Sequence, residues 1–156
     1  SNSNATFSFE DGGTDGWRGH GSQIANVQNS TALGMGDTHS LQVTFTNLSN
    51  SDYPYIAVGL SNLTNYPQGG QTLTAYVYQP SNSNSLTAKL FVMDNNYHWL
   101  SNNTMISLTP GQWNRLTFIL PSDLSGQPRM LGIQFGNAAN SSMSGDVYID
   151  QVGWGP

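Results

Sequence analysis

Short runs of alternating apolar and polar residues constrain the fold of this chain most strongly. In residues 41–46 and 73–78 the apolar and polar side chains alternate, as expected for a strand with one face in a core. Gly, Pro, Asn and Ser bound such runs, and no segment keeps the period of about 3.6 residues that marks an amphipathic helix. The pattern predicts an all-β fold.

Similar runs recur along the whole chain and predict about nine to ten strands, the size of a two-sheet antiparallel β-sandwich of the jelly-roll type. The chain of 156 residues is long enough to bury one core, so we expect a single domain over residues 7–156. Residues 1–6 are small and polar, and we interpret them as a linker remnant. The predicted strands cover residues 6–10, 24–28, 41–46, 55–60, 73–78, 86–93, 113–120, 129–135 and 146–152.

Charged residues make up only 8% of the chain, compared with about a quarter in an average soluble protein. With four Lys and Arg residues and a net charge of -5, the chain lacks the cations that nucleic acid or an anionic membrane surface requires. No apolar run approaches the roughly 20 residues of a membrane helix, and the absence of cysteine excludes a disulfide framework. The Asn-, Ser- and Thr-rich composition favours a secreted, extracellular domain, which we expect to be monomeric and excised from a longer protein.

Residues 86–100 carry the clearest sign of a binding surface. An apolar strand ends at the turn-forming residues 94–96, and Tyr97 and Trp99 follow two positions apart. In an extended segment, side chains at that spacing project from the same side. Large rings beside an amide-rich loop suit stacking on flat, hydroxylated sugar rings, so we predict that Tyr97 and Trp99 are exposed.

Alternation predicts which further side chains accompany these rings. If Leu90 and Val92 face the core, their neighbours on the strand face outward. The same reasoning applies to residues 130–134 and 73–78, and we expect these strands to form one concave sheet. A shift of one residue would exchange every inward and outward assignment. The candidate carbohydrate-binding residues are Tyr97, Trp99, Gln134, Lys89, Tyr76, Tyr78, Met93 and Trp17.

The other tryptophans have competing interpretations. Trp17 lies in a glycine-rich loop that either presents it to a ligand or folds it down as a lid. Trp113 opens a strand directly after a Pro-Gly turn, and we expect it to pack at the sandwich edge. Trp154 is predicted to cover one end of the core.

Catalysis is not expected. A glycosidase of the usual kind needs two carboxyl groups that flank the scissile bond, but most carboxylates here lie in Gly-, Ser- or Asn-rich loops, where turn formation explains them. His20, His39 and His98 lack the spacing of metal ligands. Neither a nucleophile elbow nor a phosphate-binding glycine loop is present.

Glu10 and Asp150 end apolar runs near the two ends of the chain. If the terminal strands are neighbours, the two carboxylates meet, and in a half-buried place they repel unless a cation joins them. Calcium suits such a site, with further oxygens from the turn at residues 36–40. Alternatively, both carboxylates accept backbone N–H groups at strand ends, and the residues favour neither interpretation.

Several short motifs follow one another along nearly the whole chain, at residues 9–12, 16–17, 76–80, 88–92, 97–99, 108–113, 131–135 and 147–152. In their order and spacing, the chain resembles jelly-roll carbohydrate-binding modules of bacterial polysaccharide-degrading enzymes. It is most similar to modules attached to mannanases and cellulases.

The resemblance implies a non-catalytic domain that holds a parent glycoside hydrolase on β-linked mannan or glucan. It also implies a structural calcium ion bound by Glu10 and Asp150, with oxygens from Asp37 and Ser40. The sugar-stacking rings of such modules correspond best to Tyr97 and Trp99. The alternative is an extracellular adhesion domain that binds protein. A flat apolar patch would favour this alternative, whereas an open, aromatic-lined groove would favour glycan binding.

Overall fold

The computed structural model describes residues 5–80 and 85–156, and these residues form twelve strands in two antiparallel sheets. The predicted two-sheet antiparallel β-sandwich is therefore confirmed. The number of strands exceeds the prediction because strands of two or three residues are too short to show alternation. The strands are β1 (Ala5–Phe7), β2 (Arg18–His20), β3 (Ile24–Ser30), β4 (Ser40–Leu48), β5 (Tyr55–Gly59), β6 (Thr72–Tyr78), β7 (Leu86–Met93), β8 (Trp99–Ser101), β9 (Ile106–Ser107), β10 (Trp113–Ile119), β11 (Met130–Asn137) and β12 (Met143–Gly155).

Each sheet combines strands from early, middle and late parts of the chain. The first sheet has the order β10-β6-β12-β4-β3, and β1 also pairs with β12. The second sheet has the order β2-β5-β11-β7-β8, and β9 also pairs with β7. Strands that are distant in sequence are thus neighbours in both sheets, which brings early, middle and late residues onto each face.

The core lies between the sheets and contains the apolar sides of the alternating strands. Leu90 and Val92 of β7 are buried, as are Leu131 and Ile133 of β11 and Val77 of β6. The predicted inward faces of these strands are therefore correct. Full burial of each such side chain contributes about 1.5–3 kcal/mol to folding.

Four aromatic rings pack against one another in the core, those of Phe7, Phe9, Trp17 and Trp154. Trp17 is only 2% exposed and stands edge-on to Phe7, with 5.6 Å between ring centroids. Trp154 is also buried and packs against Phe7, so it is part of the core. Gly12 and Gly16 have positive φ angles, which let the loop double back and fold Trp17 inward. Trp17 is thus part of the core, and its assignment as a ligand contact is wrong.

The first described strand pairs with the last. Ala5 lies opposite Gly153 and Phe7 opposite Val152. Regular structure therefore begins inside the range predicted as a linker, whose residues 1–4 lie outside the described part of the chain. Within the described residues, no helix has the length and apolar character needed to span a membrane.

Candidate functional site

The outer face of the second sheet carries three rows of side chains that run across its strands. Residues directly opposite each other on paired strands project from the same face. The first row consists of Lys89, Gln134, Tyr55 and His20. The second row consists of Ser101, Phe91, Gly132, Ala57 and Arg18. The third row consists of Trp99, Met93, Met130 and Gly59.

Four rings on this face form an aromatic cluster: His20, Tyr55, Phe91 and Trp99. Trp99 stacks on Phe91 with 3.7 Å between centroids and 12° between planes. Tyr55 stands edge-on to both rings and stacks with His20 at 4.6 Å. Phe91 points outward but is fully buried, whereas Trp99 remains 37% exposed. The cluster therefore presents Trp99 to solvent on a fixed aromatic support.

Gly132 is the reason that Phe91 lies flat on the sheet. A Cβ atom at this position would overlap with ring carbons of Phe91 and with the carbonyl oxygen of Ile56. The ring therefore occupies the space that any other side chain would need. This contact places Phe91 against the β11 backbone and determines where Trp99 can stack.

Tyr97 lies in the tight turn that joins β7 to β8. The Asp94 N–H donates to the His98 carbonyl at 2.9 Å, and the Tyr97 N–H donates to the Asp94 carbonyl at 3.1 Å. The Tyr97 ring is 66% exposed, and the guanidinium carbon of Arg129 lies 3.9 Å from its centroid. Its φ of 68° is left-handed, so the expectation of an extended segment carrying both rings on one side is wrong. This conformation costs a residue other than glycine about 1–2 kcal/mol, and such strain is concentrated at functional sites.

The structure divides the other candidate residues between the two sheets. Lys89, Met93 and Gln134 lie on the outer face of the second sheet, as the alternation indicates. Tyr76 and Tyr78 also point outward, but they lie on β6 in the first sheet. Their assignment to the same surface is therefore wrong, because alternation identifies the face of a strand and not the sheet to which it belongs.

Sequence reasoning missed Tyr55, His20 and Arg18. Tyr55 precedes the core residue Ile56, so alternation alone marks its side chain as outward. The three-residue strand β2 shows no comparable pattern. The relevance of all three depends on β5 lying between β2 and β11, which the chain order does not predict.

A cleft of about 440 Å³ adjoins this face beside β2 and β5. Its lining includes Arg18, His20 and Met130, so it is continuous with the rows described above. Asp15 also lines the cleft, and burial raises its pKa to about 6, with further contributions from the hydrogen bond and charge of Asp11. Hydrogen-bond donors and acceptors thus lie together beside the aromatic cluster.

A second polar site lies in the middle of β12, on the first sheet. Asp150 is fully buried and accepts hydrogen bonds from the Met35 and Gln151 backbone N–H groups, both at 2.8 Å. Burial raises the pKa of Asp150 to about 8, and the neighbouring Asp37 adds to this effect. Asp37 Oδ1 and Ser40 Oγ are buried with no hydrogen-bond partner in the described part of the chain.

Glu10 is hydrogen-bonded to the turn that contains Asp37. Its carboxylate accepts hydrogen bonds from Thr38 Oγ1 at 2.7 Å and from the His39 N–H at 2.6 Å. Desolvation opposes ionisation, but these bonds outweigh it and lower the pKa of Glu10. Among residues 5–80 and 85–156, no three His, Asp or Glu side chains are grouped to hold a metal ion. Asp37 is the acidic neighbour that raises the pKa of Asp150 further, and the pairing of Glu10 with Asp150 stays a prediction.

The sequence from residue 7 to residue 151 matches the family described as mannanase, galactose-binding domain-like. None of the curated proteins gives a significant match. The family match covers nearly all of the strands described above. It agrees with the resemblance to mannanase-associated modules that the sequence motifs indicated.

Solved carbohydrate-binding modules share the fold. A structure of modules from the β-sandwich superfamily is 22% identical with a TM-score of 0.78, over 98% of this chain and 62% of that chain. The CBM22-1 xylan-binding domain of Paenibacillus barcinonensis Xyn10C is 18% identical with a TM-score of 0.63, over 95% of this chain and 90% of that one. The CBM22-1–GH10 modules of Clostridium thermocellum xylanase 10B, complexed with xylohexaose, are 14% identical with a TM-score of 0.63, over 100% of this chain and 29% of theirs.

Proposed function

The chain belongs to the mannanase, galactose-binding domain-like family, and we propose that it binds β-linked mannan or glucan on the outer face of its second sheet. It is a non-catalytic carbohydrate-binding module, as its sequence predicts. The observation that carries the proposal is the exposed Trp99 ring, which Phe91 supports from below at 3.7 Å. A supported ring of this kind offers its free face to the C–H face of a pyranose.

The polar groups around the aromatic cluster suit the hydroxyl groups of a neutral sugar. Gln134 lies in the row beside Tyr55, and its amide donates to the Tyr53 carbonyl at 3.2 Å. Lys89 Nζ donates to the Asn102 carbonyl at 3.2 Å, which places a cation at the edge of the face. An amide and an ammonium group each have several hydrogen-bonding positions, so one bond leaves others for a ligand. Together with the cleft, these groups favour a glycan as the ligand. A protein partner would be expected to bind a flat apolar patch instead.

The length of the surface favours a polysaccharide over a single sugar. The rows cross five strands from β8 to β2, and strands are spaced by about 4.8 Å, so the face extends for roughly 19 Å. An extended chain that stacks on Trp99 therefore reaches the cleft beside Arg18 and His20. Affinity electrophoresis in gels containing mannan, mixed-linkage glucan, xylan or galactan tests the proposal. Retardation by mannan or glucan is the expected result, and free migration in all four gels contradicts it.

The Gly132→Ala variant tests whether glycan binding depends on the support beneath Trp99. The added Cβ displaces the Phe91 ring, so we expect at least about tenfold weaker binding and a stability loss of about 1–3 kcal/mol. Gly13→Ala is the control, because Gly13 lies outside the three rows and an added Cβ there would make no contact shorter than 3.6 Å. Affinity electrophoresis and thermal melting of both variants give the comparison. Equal binding by the two variants would show that the ring stack does not position the ligand.

The Tyr97→Gly variant separates the contribution of the Tyr97 ring to binding from the strain of its left-handed backbone conformation. Glycine adopts the left-handed conformation freely, so the substitution relieves strain while it removes the ring and its contact with Arg129. We expect the melting temperature to change little and glycan affinity to fall severalfold. Tyr53→Gly is the control, since Tyr53 is also exposed but has a negative or extended φ. Unchanged affinity in Tyr97→Gly would remove Tyr97 from the site.

We further propose that the module is secreted as part of a glycoside hydrolase and keeps that enzyme on its polysaccharide. The xylanase 10B structure, in which a module of this fold accompanies a GH10 domain, supports this arrangement. Removal of the module from a parent enzyme should slow hydrolysis of insoluble substrate and leave hydrolysis of soluble oligosaccharides unchanged. Equal loss on both substrates would contradict a targeting role.

The neighbouring carboxylates of Asp37 and Asp150 support the proposal of a structural calcium ion. Asp37 and Asp150 are neighbouring carboxylates, and the orphaned Asp37 Oδ1 and Ser40 Oγ supply oxygen atoms of the type that calcium prefers. We propose that these three side chains hold the ion, together with backbone carbonyls of the adjoining turn. Glu10 then has a different role, because its bonds to Thr38 and His39 shape that turn. The ion would neutralise two neighbouring carboxylate charges in a chain with only four Lys and Arg residues.

A further inference from the structure

We propose a second glycan-binding surface on the opposite side of the sandwich, on the outer face of the first sheet. A row of side chains crosses all five strands of that sheet's main path. It begins with three aromatic rings and ends with two amides. The row consists of Trp113, Tyr78, Tyr148, Gln42 and Gln28.

The strand register places all five side chains on the outer face. Each is directly opposite the next on its neighbouring strand, so they project from the same side. The adjacent residues Val77, Ile149 and Leu41 are fully buried in the core. The rings of Tyr78 and Trp113 lie 5.5 Å apart with their planes at 60°. They therefore hold each other in position without covering both faces of either ring.

The amide end of the row is ordered by hydrogen bonds. Asn26 Nδ2 donates to Gln28 Oε1 at 3.0 Å, and Gln28 Nε2 donates to Gln42 Oε1 at 3.1 Å. A carboxamide has two donor hydrogens and an acceptor oxygen with two lone pairs, so one such bond does not exhaust it. The side chains are thus held in place while they retain capacity for sugar hydroxyl groups.

The composition of this surface selects a neutral polysaccharide as its occupant. Arg115 and Asp146 are charged residues on the same face of these strands, and the Asp146 carboxylate accepts a hydrogen bond from Thr44 at 2.7 Å. One cation and one anion give no net attraction for an acidic or basic ligand. A stable protein partner would bury roughly 800 Å² with an apolar centre, whereas almost half of this row is amide. Aromatic rings followed by amides match the C–H faces and hydroxyl groups of an extended neutral glycan.

Two surfaces on opposite faces would allow the domain to hold two chains at once. The second row extends for roughly 19 Å, the width of five strands, and is separated from the aromatic cluster by the core. Simultaneous engagement raises retention on an insoluble polysaccharide beyond the affinity of either surface alone. This inference goes beyond the proposed function and does not depend on it, because different residues form the second surface.

Isothermal titration with mannohexaose and cellohexaose tests the inference. We expect two ligands per protein molecule for the natural chain, and one for Tyr148→Ala or for Trp99→Ala. Gln42→Ala combined with Gln28→Ala removes the two outward-facing amides with little risk to folding and should weaken the second surface severalfold. Thr117→Ala is the control, since Thr117 is exposed on the first sheet outside the row. Thermal melting verifies that each variant is folded.

The outcomes distinguish the second surface from the first. One ligand per molecule that Trp99→Ala abolishes and Tyr148→Ala leaves unchanged overturns the second surface and supports the first. One ligand that Tyr148→Ala abolishes and Trp99→Ala leaves unchanged supports the second surface and overturns the first. Absence of binding by either hexasaccharide to the folded natural chain overturns both.

Discussion

Trp99→Ala is expected to weaken glycan binding at the aromatic cluster about tenfold or more. Stacking between an aromatic side chain and a flat ring contributes about 1–3 kcal/mol on the scale measured for bases. Trp99 is 37% exposed, and its other face lies on the fully buried Phe91. The substitution removes the stacking surface and leaves Phe91 in contact with water. Affinity electrophoresis with the preferred polysaccharide measures the loss.

The effect of Trp99→Ala on stability separates a binding role from a packing role. A partly exposed ring on the outer face should cost about 1–2 kcal/mol when truncated. Truncation of a core tryptophan costs about 3–5 kcal/mol. Ile119→Ala is the control, because Ile119 is a large apolar residue that is 67% exposed on the other sheet. A variant that melts far below the natural chain but binds normally while folded would place the site elsewhere.

The inward and outward faces of individual strands could be predicted because they depend on local geometry. Successive side chains of a strand point to opposite sides wherever the strand lies. For that reason Leu90 was correctly placed in the core and Lys89 on the surface. Phe91 followed the same rule, but its burial beneath Trp99 depends on a contact across two strands.

The pairing of strands could not be predicted in the same way. The candidate site combines β2, β5, β11, β7 and β8, which are not consecutive in the chain. Tyr55 and His20 were therefore missed, and Tyr78 was assigned to the wrong sheet. Which strands are neighbours depends on the packing of the whole core, and a single sequence shows no local signal for it.

Residues with positive φ angles, at which the chain changes direction, account for the remaining differences between the predicted and observed positions of side chains. Phe9 has a left-handed φ of 62° just before Glu10, and Gly12 and Gly16 also have positive φ angles. Alternation assumes an extended chain, so it cannot predict the directions of the side chains that follow such a residue. Trp17 consequently entered the core, and the Glu10 carboxylate accepts a hydrogen bond from Thr38, which alternation does not predict.

Removal of calcium is expected to lower the melting temperature by roughly 5–10 °C at pH 8 and by much less at pH 5. In the metal-free fold, burial raises the pKa of Asp150 to about 8, compared with an ordinary value of 3.8. The folded state therefore keeps a proton that the unfolded chain releases above about pH 4, so metal-free stability falls as the pH rises from 4 to 8. Calcium favours the ionised carboxylate and offsets this loss, most strongly at the higher pH. Thermal melting with calcium and with chelator at both pH values measures the difference.

The Asp37→Asn variant provides the sharpest test of the calcium site. Asparagine keeps an oxygen for the bond from Gln151 Nε2, which lies 2.7 Å from Asp37 Oδ2, and places an amide donor where Oδ1 has no partner. One of the two negative charges beside each other is also removed, so the chelated variant should melt above the chelated natural chain at pH 8. Calcium should no longer raise its melting temperature, because the ion has lost a carboxylate ligand. Asp123→Asn, in an exposed loop, is the control and should respond to calcium like the natural chain. Refolding from denaturant in chelator removes an ion that dissociates slowly, and a natural chain that then melts identically with and without calcium at pH 8 would exclude the site.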